Sequence, residues 1–108
     1  MIKSELIAKL VEQLRDVPEK NIADSVNLVI DSMSDSLTNG KRIEIRGFGS
    51  FSLHYRPPRN AHNPKTGDKV ITQAKYSPHF KPGKSLRERV NASRENVAIK
   101  NMNNDDDE

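Results

Sequence analysis

The segment from Arg56 to Lys75, RPPRNAHNPKTGDKVITQAK, limits what this chain can become more than any other stretch. It is long and basic and holds almost no large apolar side chains. A compact domain has little use for it unless it reaches something outside the fold. Its middle, Asn63-Pro64-Lys65-Thr66-Gly67-Asp68, is turn chemistry: proline fixes φ and glycine supplies a positive φ. Alternating residues run into it from Ser50 to Arg56 and leave it from Lys69 to Phe80. The pattern predicts a protruding two-stranded ribbon, with Pro64 near its tip, that lies along nucleic acid.

At 108 residues the chain reads as one domain, and only 33% of it is hydrophobic, without a tryptophan. A core this thin suggests that a partner subunit completes it. The net charge of +3 hides a steep asymmetry. Residues 1–40 carry 4 basic and 7 acidic side chains, residues 41–94 carry 13 and 3, and residues 95–108 carry 1 and 5. A strongly basic central segment favours a polyanionic partner, against the plainer reading of a solvated basic face. With no cysteine, disulfides and thiol catalysis are excluded. No apolar run is long enough to span a membrane. The amphipathic start at Met1-Ile2-Lys3-Ser4-Glu5 lacks the apolar core of a signal peptide, so a cytoplasmic protein is expected.

Along the chain, Leu6, Ile7, Leu10, Val11 and Leu14 share one helical face, and Asp16-Val17-Pro18 ends it. Pro18 suits the first turn of a second helix striped by Ile22, Val26, Val29, Ile30, Met33 and Leu37. Asn39-Gly40 closes that helix as a left-handed cap. The two predict an antiparallel hairpin whose broad stripe also packs on a second subunit. From Lys41 the period changes from helical to alternating. Ile43 and Ile45 define one strand; Phe51, Leu53 and Tyr55 define the next, across a turn at Gly47-Phe48-Gly49. The ribbon follows, Tyr76 to Phe80 returns to the body, and Lys81-Pro82-Gly83-Lys84 reads as a basic turn. A short helix from Ser85 to Asn91 has Leu86 and Val90 on its inner side. The expected fold is α+β: a helical hairpin, a three-stranded antiparallel sheet with a two-stranded arm, and a short final helix. Residues 1–94 form the domain, with its arm at about 56–75; residues 95–108 read as a disordered acidic tail. That tail is a solubilising end, a competitor for the basic surface, or a protein-binding segment.

Several side chains suit a nucleic-acid surface. Arg56, Arg59, Lys65, Lys69 and Lys75 place charge along the arm, where phosphates give salt-dependent affinity without sequence information. Asn60, His62 and Asn63 can hydrogen-bond groove acceptors. Pro64 either shapes the turn or wedges between base pairs. Arg42, Glu44 and Arg46 share a strand face, with Glu44 able to fix the direction of the guanidinium groups or to form an ordinary surface ion pair. Lys3 and Ser4 at one helix start, and Lys81 and Lys84 near another, are candidate phosphate clamps. Phe48, Phe51 and Phe80 alternate with the apolar positions and read as core rather than as stacking platforms. His54, His62 and His79 lack metal-ligand spacing, and no nucleophile–base pair or glycine-rich phosphate loop points to an enzyme.

Gly47-Phe48-Gly49-Ser50-Phe51, followed by Asn63-Pro64-Lys65-Thr66-Gly67, resembles the signature of the bacterial HU and integration host factor family. Arg42 to Arg46, Ser52 to Arg56 and Tyr76 to Lys84 narrow the likeness to the integration host factor branch, on its beta-type side. The resemblance covers residues 1 to about 92. It implies two subunits intertwined through their helical halves, with an alpha-type subunit as the heterodimer partner. It further implies a ribbon from each that enters the DNA minor groove, a wedge at Pro64, and Arg46 inserting with Glu44 as its orienting partner. Roles in recombination, transcription, translation regulation and nucleoid organisation come with it. An HU-like homodimer with little sequence preference is the alternative. A ribbon that pairs with protein stands as a third reading, separated from the others by weak salt dependence. One departure stands out: the family arm reads Arg-Thr-Gly-Arg-Asn-Pro, whereas here it is Arg59-Asn60-Ala61-His62-Asn63-Pro64. His62 occupies the place of a groove-directed arginine, which implies a weaker or altered grip and some pH sensitivity.

Overall fold

A computed structural model describes residues 1–98 of the chain. It divides into two compact units, Met1–Asn39 and a second beginning at Gly40. The expected α+β elements are all present, in the expected order.

The first unit is a pair of helices, α1 (Lys3–Gln13) and α2 (Glu19–Thr38). Ile2 stands at the N-cap of α1 without a side-chain acceptor, so only half of a capping box forms: Glu5 Oε1 accepts from the Ile2 N–H at 3.1 Å. The helix ends at Gln13, earlier than the expected break at Asp16-Val17-Pro18: Leu14 takes the C-cap, and a turn follows in which the Val17 N–H donates to the Leu14 carbonyl at 3.0 Å. Pro18 itself takes the N-cap of α2 rather than its first turn, and Glu19 follows at the positive end of the helix dipole. Ile22 is the one buried apolar side chain among the described residues, at 4% exposure. Leu6, Ile7, Leu10, Val11, Val26, Met33 and Leu37 are half-buried around the hairpin. The rest of the expected apolar positions are not covered: Leu14, Val29 and Ile30 are exposed, as is Leu28 beside the stripe. The α2 helix stops at Asn39, with Gly40 at φ +76°.

The second unit holds β1 (Ile43–Ile45), β2 (Gly49–Arg56), β3 (Arg59–His62), β4 (Lys69–Thr72), β5 (Lys75–Pro82) and α3 (Lys84–Ala92). A single 3₁₀ turn, Ser93–Glu95, follows α3. β1, β2 and β5 make an antiparallel sheet in that order, and β3 and β4 form a separate antiparallel ribbon. The β1–β2 turn closes through the Phe48 N–H on the Ile45 carbonyl at 3.0 Å, with Gly47 at φ +84°. Only glycine adopts that conformation without strain. Pro57-Pro58 and Gln73-Ala74 interrupt both ladders at one level, so the ribbon begins afresh beyond them. At its base Thr72 Oγ1 accepts from the Arg59 N–H at 3.2 Å and donates to the Arg59 carbonyl at 3.1 Å.

Three further local expectations need correction. Lys81 and Pro82 belong to β5, and Lys84 opens α3, so Gly83 alone joins strand to helix. The strand persists because β5 lies at the sheet edge, where Pro78 and Pro82 are tolerated. Phe48 is 43% exposed, although its ring packs on Phe80 with centroids 5.3 Å apart. Val90 is exposed rather than turned inward. The acidic run Asp105 to Glu108 lies outside the described residues.

Candidate nucleic-acid interface

The register of β2 on β5 sorts the sheet into two faces. Phe51, Leu53 and Tyr55 stand opposite Phe80, Pro78 and Tyr76. Aromatic contacts run along this side, Phe51 to Phe80 at 4.7 Å and Tyr55 to Tyr76 at 5.3 Å. The other face carries the pairs Ser50–Lys81, Ser52–His79, His54–Ser77 and Arg56–Lys75, with Glu44 of β1 opposite Ser50. Neither β2 nor β5 contains an acidic residue.

Arg56 directly opposite Lys75 is a like-charge cross-strand pair, an arrangement that opposes sheet pairing unless an anion lies across it. Near the tip of the ribbon His62 stands opposite Lys69. Among the described residues the ion pairs are Lys20–Asp24, Arg42–Glu44 and Lys84–Glu88, and the ribbon has none. Its cations Arg56, Arg59, Lys65, Lys69 and Lys75 are all exposed. A cleft of about 620 Å³ at the base of the ribbon collects Arg56, Arg59 and Lys75 beside Tyr55, Thr72 and Gln73. Asn60 shares one ribbon face with His62, Lys69 and the highly exposed Ile71, because Asn60 pairs with Ile71 and His62 with Lys69.

The tip is built by backbone, not by side-chain packing. The Asn63 N–H donates to the Asp68 carbonyl at 2.8 Å, and the Gly67 N–H to the Asn63 carbonyl at 2.7 Å. Asn63 Oδ1 accepts from the Lys65 N–H at 2.9 Å, while Gly67 takes φ +75°. Asn63 is thereby half-buried and committed to the turn, whereas Pro64 is left exposed at the end.

A second cleft, of about 570 Å³, gathers Arg42, Glu44, Arg46, Ser50 and Lys81 around the β1–β2 turn. Glu44 pairs with Arg42, Oε2 to Nε at 3.5 Å, and Arg46 stands in the turn beyond the strand. Ser50 joins the cleft only through strand pairing, which no local pattern reveals. Gly49 allows this close approach: a Cβ there would meet the Lys81 carbonyl oxygen at 2.6 Å and the Phe80 ring at 2.8 Å. Lys84 lies at the α3 start, where the Gly83 N–H donates to the Phe48 carbonyl at 2.8 Å. In the first unit, Lys3 Nζ donates to Asn27 Oδ1 at 2.7 Å and Ser4 lies exposed in the first turn of α1. Lys3 is thus held at the helix start.

The sheet, the ribbon and these exposed cations define a nucleic-acid-binding protein, and the chain belongs to the bacterial DNA-binding protein family, whose model matches residues 1–91. This is the family of HU and integration host factor, an architectural rather than an enzymatic group. Within it, the chain is 57% identical to integration host factor subunit beta of Marinomonas sp. (strain MWYL1) over 103 residues, 95% of this chain and all of that one. It is 58% identical over 91 residues to the same subunit of Escherichia coli (strain K12 / DH10B), 84% of this chain and 97% of that one. Among solved structures it is similar to Anabaena HU in a cocrystal with DNA, with a TM-score of 0.76 at 31% identity, over 83% of this chain and 97% of that one. Among the described residues, no helix is long and apolar enough to cross a membrane.

Proposed function

We propose that the chain is the beta-type subunit of a DNA-bending heterodimer that enters the minor groove through its ribbon. The observation that carries this is the run of uncompensated cations on an exposed ribbon, with Arg56 facing Lys75. Such a surface gains most from phosphates, which neutralise both side chains at once. Ribbon residues Arg59, Asn60, His62, Lys65 and Lys69 follow the groove, and Pro64 unstacks one base step at the tip. Arg46 reads the groove from the β1–β2 turn, with the Arg42–Glu44 pair beside it. Lys3, Ser4, Lys81 and Lys84 clamp flanking phosphates. The exposed Leu28, Val29 and Ile30 side chains of α2 support a subunit interface there, since an apolar patch of this kind on a helix is covered in the working assembly.

The test is a gel shift across a salt series, combined with a circular-permutation bending assay. Both use this chain alone and mixed with an alpha-type subunit. Log affinity should fall linearly with log salt, by about 0.9 for each phosphate neutralised. Mobility should depend on the position of the site. Salt-insensitive binding would favour a protein-binding ribbon, and position-independent mobility would exclude bending. Preference for a consensus site over random DNA should appear in the mixture. Equal binding to both would assign the chain to an HU-like mode.

His62 faces Lys69 and supplies no permanent charge to the groove. His62→Arg should tighten binding by up to about tenfold and steepen the salt slope by about one. Equal affinity and slope for the two proteins would show that the side chain at this position stays out of the groove.

A further inference from the structure

Two side chains on the polar sheet face have no part in the roles above. His54 on β2 faces Ser77, and His79 on β5 faces Ser52, which makes the histidines diagonal neighbours. Their rings stack with centroids 4.1 Å apart and planes 19° from parallel. Both side chains are exposed. The same face presents Arg56 and Lys75 toward the ribbon, Lys81 at the opposite end, and the Arg42–Glu44 pair from the β1 side. Ser50, Ser52 and Ser77 complete it. Among the described residues of the strands, Glu44 is the only carboxylate on this face, and it is engaged by Arg42.

Imidazole is the side chain that changes charge between about pH 5 and 8. When protonated, both ring nitrogens donate and neither accepts, which suits a phosphate oxygen. An anion laid on this face would therefore favour imidazolium there, working against repulsion from the stacked partner ring and from Arg56, Lys75 and Lys81. The neighbouring lysines and arginines argue against a metal cation as the occupant, and the nearly parallel rings do not converge on one point as two ligands would. We propose that His54 and His79 act as a proton-coupled phosphate contact: DNA binding draws protons onto the stacked pair, so affinity rises as pH falls. This rests on the DNA-binding reading of the sheet face and adds a pH response to it.

The experiment compares the full chain with His54→Gln/His79→Gln, each mixed with an alpha-type subunit. Affinity for a labelled mixed-sequence DNA duplex is measured between about pH 6 and pH 8 at constant ionic strength. The parent should bind about tenfold tighter at the lower pH, and the double variant about threefold or less. His62 is common to both proteins, so its contribution cancels in the comparison. Calorimetry in buffers of different ionisation enthalpy should show the parent taking up more protons than the variant. Binding by both proteins with the same pH profile would overturn the histidine proposal while leaving DNA binding intact. No binding by either at any pH would instead remove the DNA-binding reading. Should the double variant fail to fold by circular dichroism, calorimetry on the parent decides: absence of proton uptake overturns the proposal.

Discussion

Pro64→Ala should leave the ribbon folded and remove most of the DNA bend. The turn at Asn63 to Asp68 is closed by two backbone hydrogen bonds, an Asn63 side-chain acceptor and the positive φ of Gly67. None of these uses the proline ring. The ring is exposed at the end of the ribbon, where a rigid apolar group can hold a base step open. Unstacking costs a few kcal/mol, roughly, and the longer contact with bent DNA offsets it. Without the wedge that exchange fails. Affinity for an intact duplex should drop by about tenfold or more, equivalent to about 1.4 kcal/mol. A duplex nicked at the kink has already lost much of its stacking, so on it the gap between the two proteins should narrow. Circular-permutation mobility on intact and nicked DNA measures both effects. Wild-type bending by Pro64→Ala would reduce the proline to a shaper of the turn.

Gly49→Ala should produce the largest loss of stability of any single methyl addition to the sheet. Gly49 pairs with Ile45 on one side and Pro82 on the other. The added Cβ would press on the Lys81 carbonyl oxygen at 2.6 Å, and a backbone atom held in a ladder cannot turn aside as a side chain can. Relief requires moving β5 away from β2, which disturbs the Phe51–Phe80 contact and the cleft formed by Arg46, Ser50 and Lys81. A cost of about 2 kcal/mol or more is expected, in the range of overpacked interiors. Thermal unfolding should report it as a fall of roughly 10 °C. Gly47→Ala differs in kind. Its Cβ would meet open space, but φ +84° is disfavoured for alanine, at about 1 kcal/mol. Equal melting temperatures for Gly49→Ala and the parent would mean that the strands separate there at little cost.

The ribbon shows how far one sequence reaches by itself. Its existence, its basic character and Pro64 at its tip were all legible between Arg56 and Lys75. Proline, glycine and alternation act on the backbone within a few residues and need no distant partner. The two helices and the strands around Gly47 were legible for the same reason. Length and periodicity did not reveal that Pro57-Pro58 and Gln73-Ala74 would interrupt both ladders at one level. That coincidence depends on how the two strands align.

Tertiary structure decided what faces what. Strand register is set by turns and ladder hydrogen bonds, and a shift of one residue would exchange the two faces. It places Lys75 against Arg56, Lys81 against Ser50, and His79 beside His54, across separations that local patterns do not encode. It also pairs Glu44 with Arg42 while Arg46 enters the turn, although the alternating sequence Arg42, Glu44, Arg46 treats both arginines alike. On α2 the apolar stripe was visible in the sequence, but only the packed hairpin separates covered Ile22 from exposed Val29 and Ile30. Periodicity records which residues share a side of a helix or strand. Which side becomes an interface depends on the partners that fold against it, and for a thin two-helix unit the hairpin alone covers only part of the stripe.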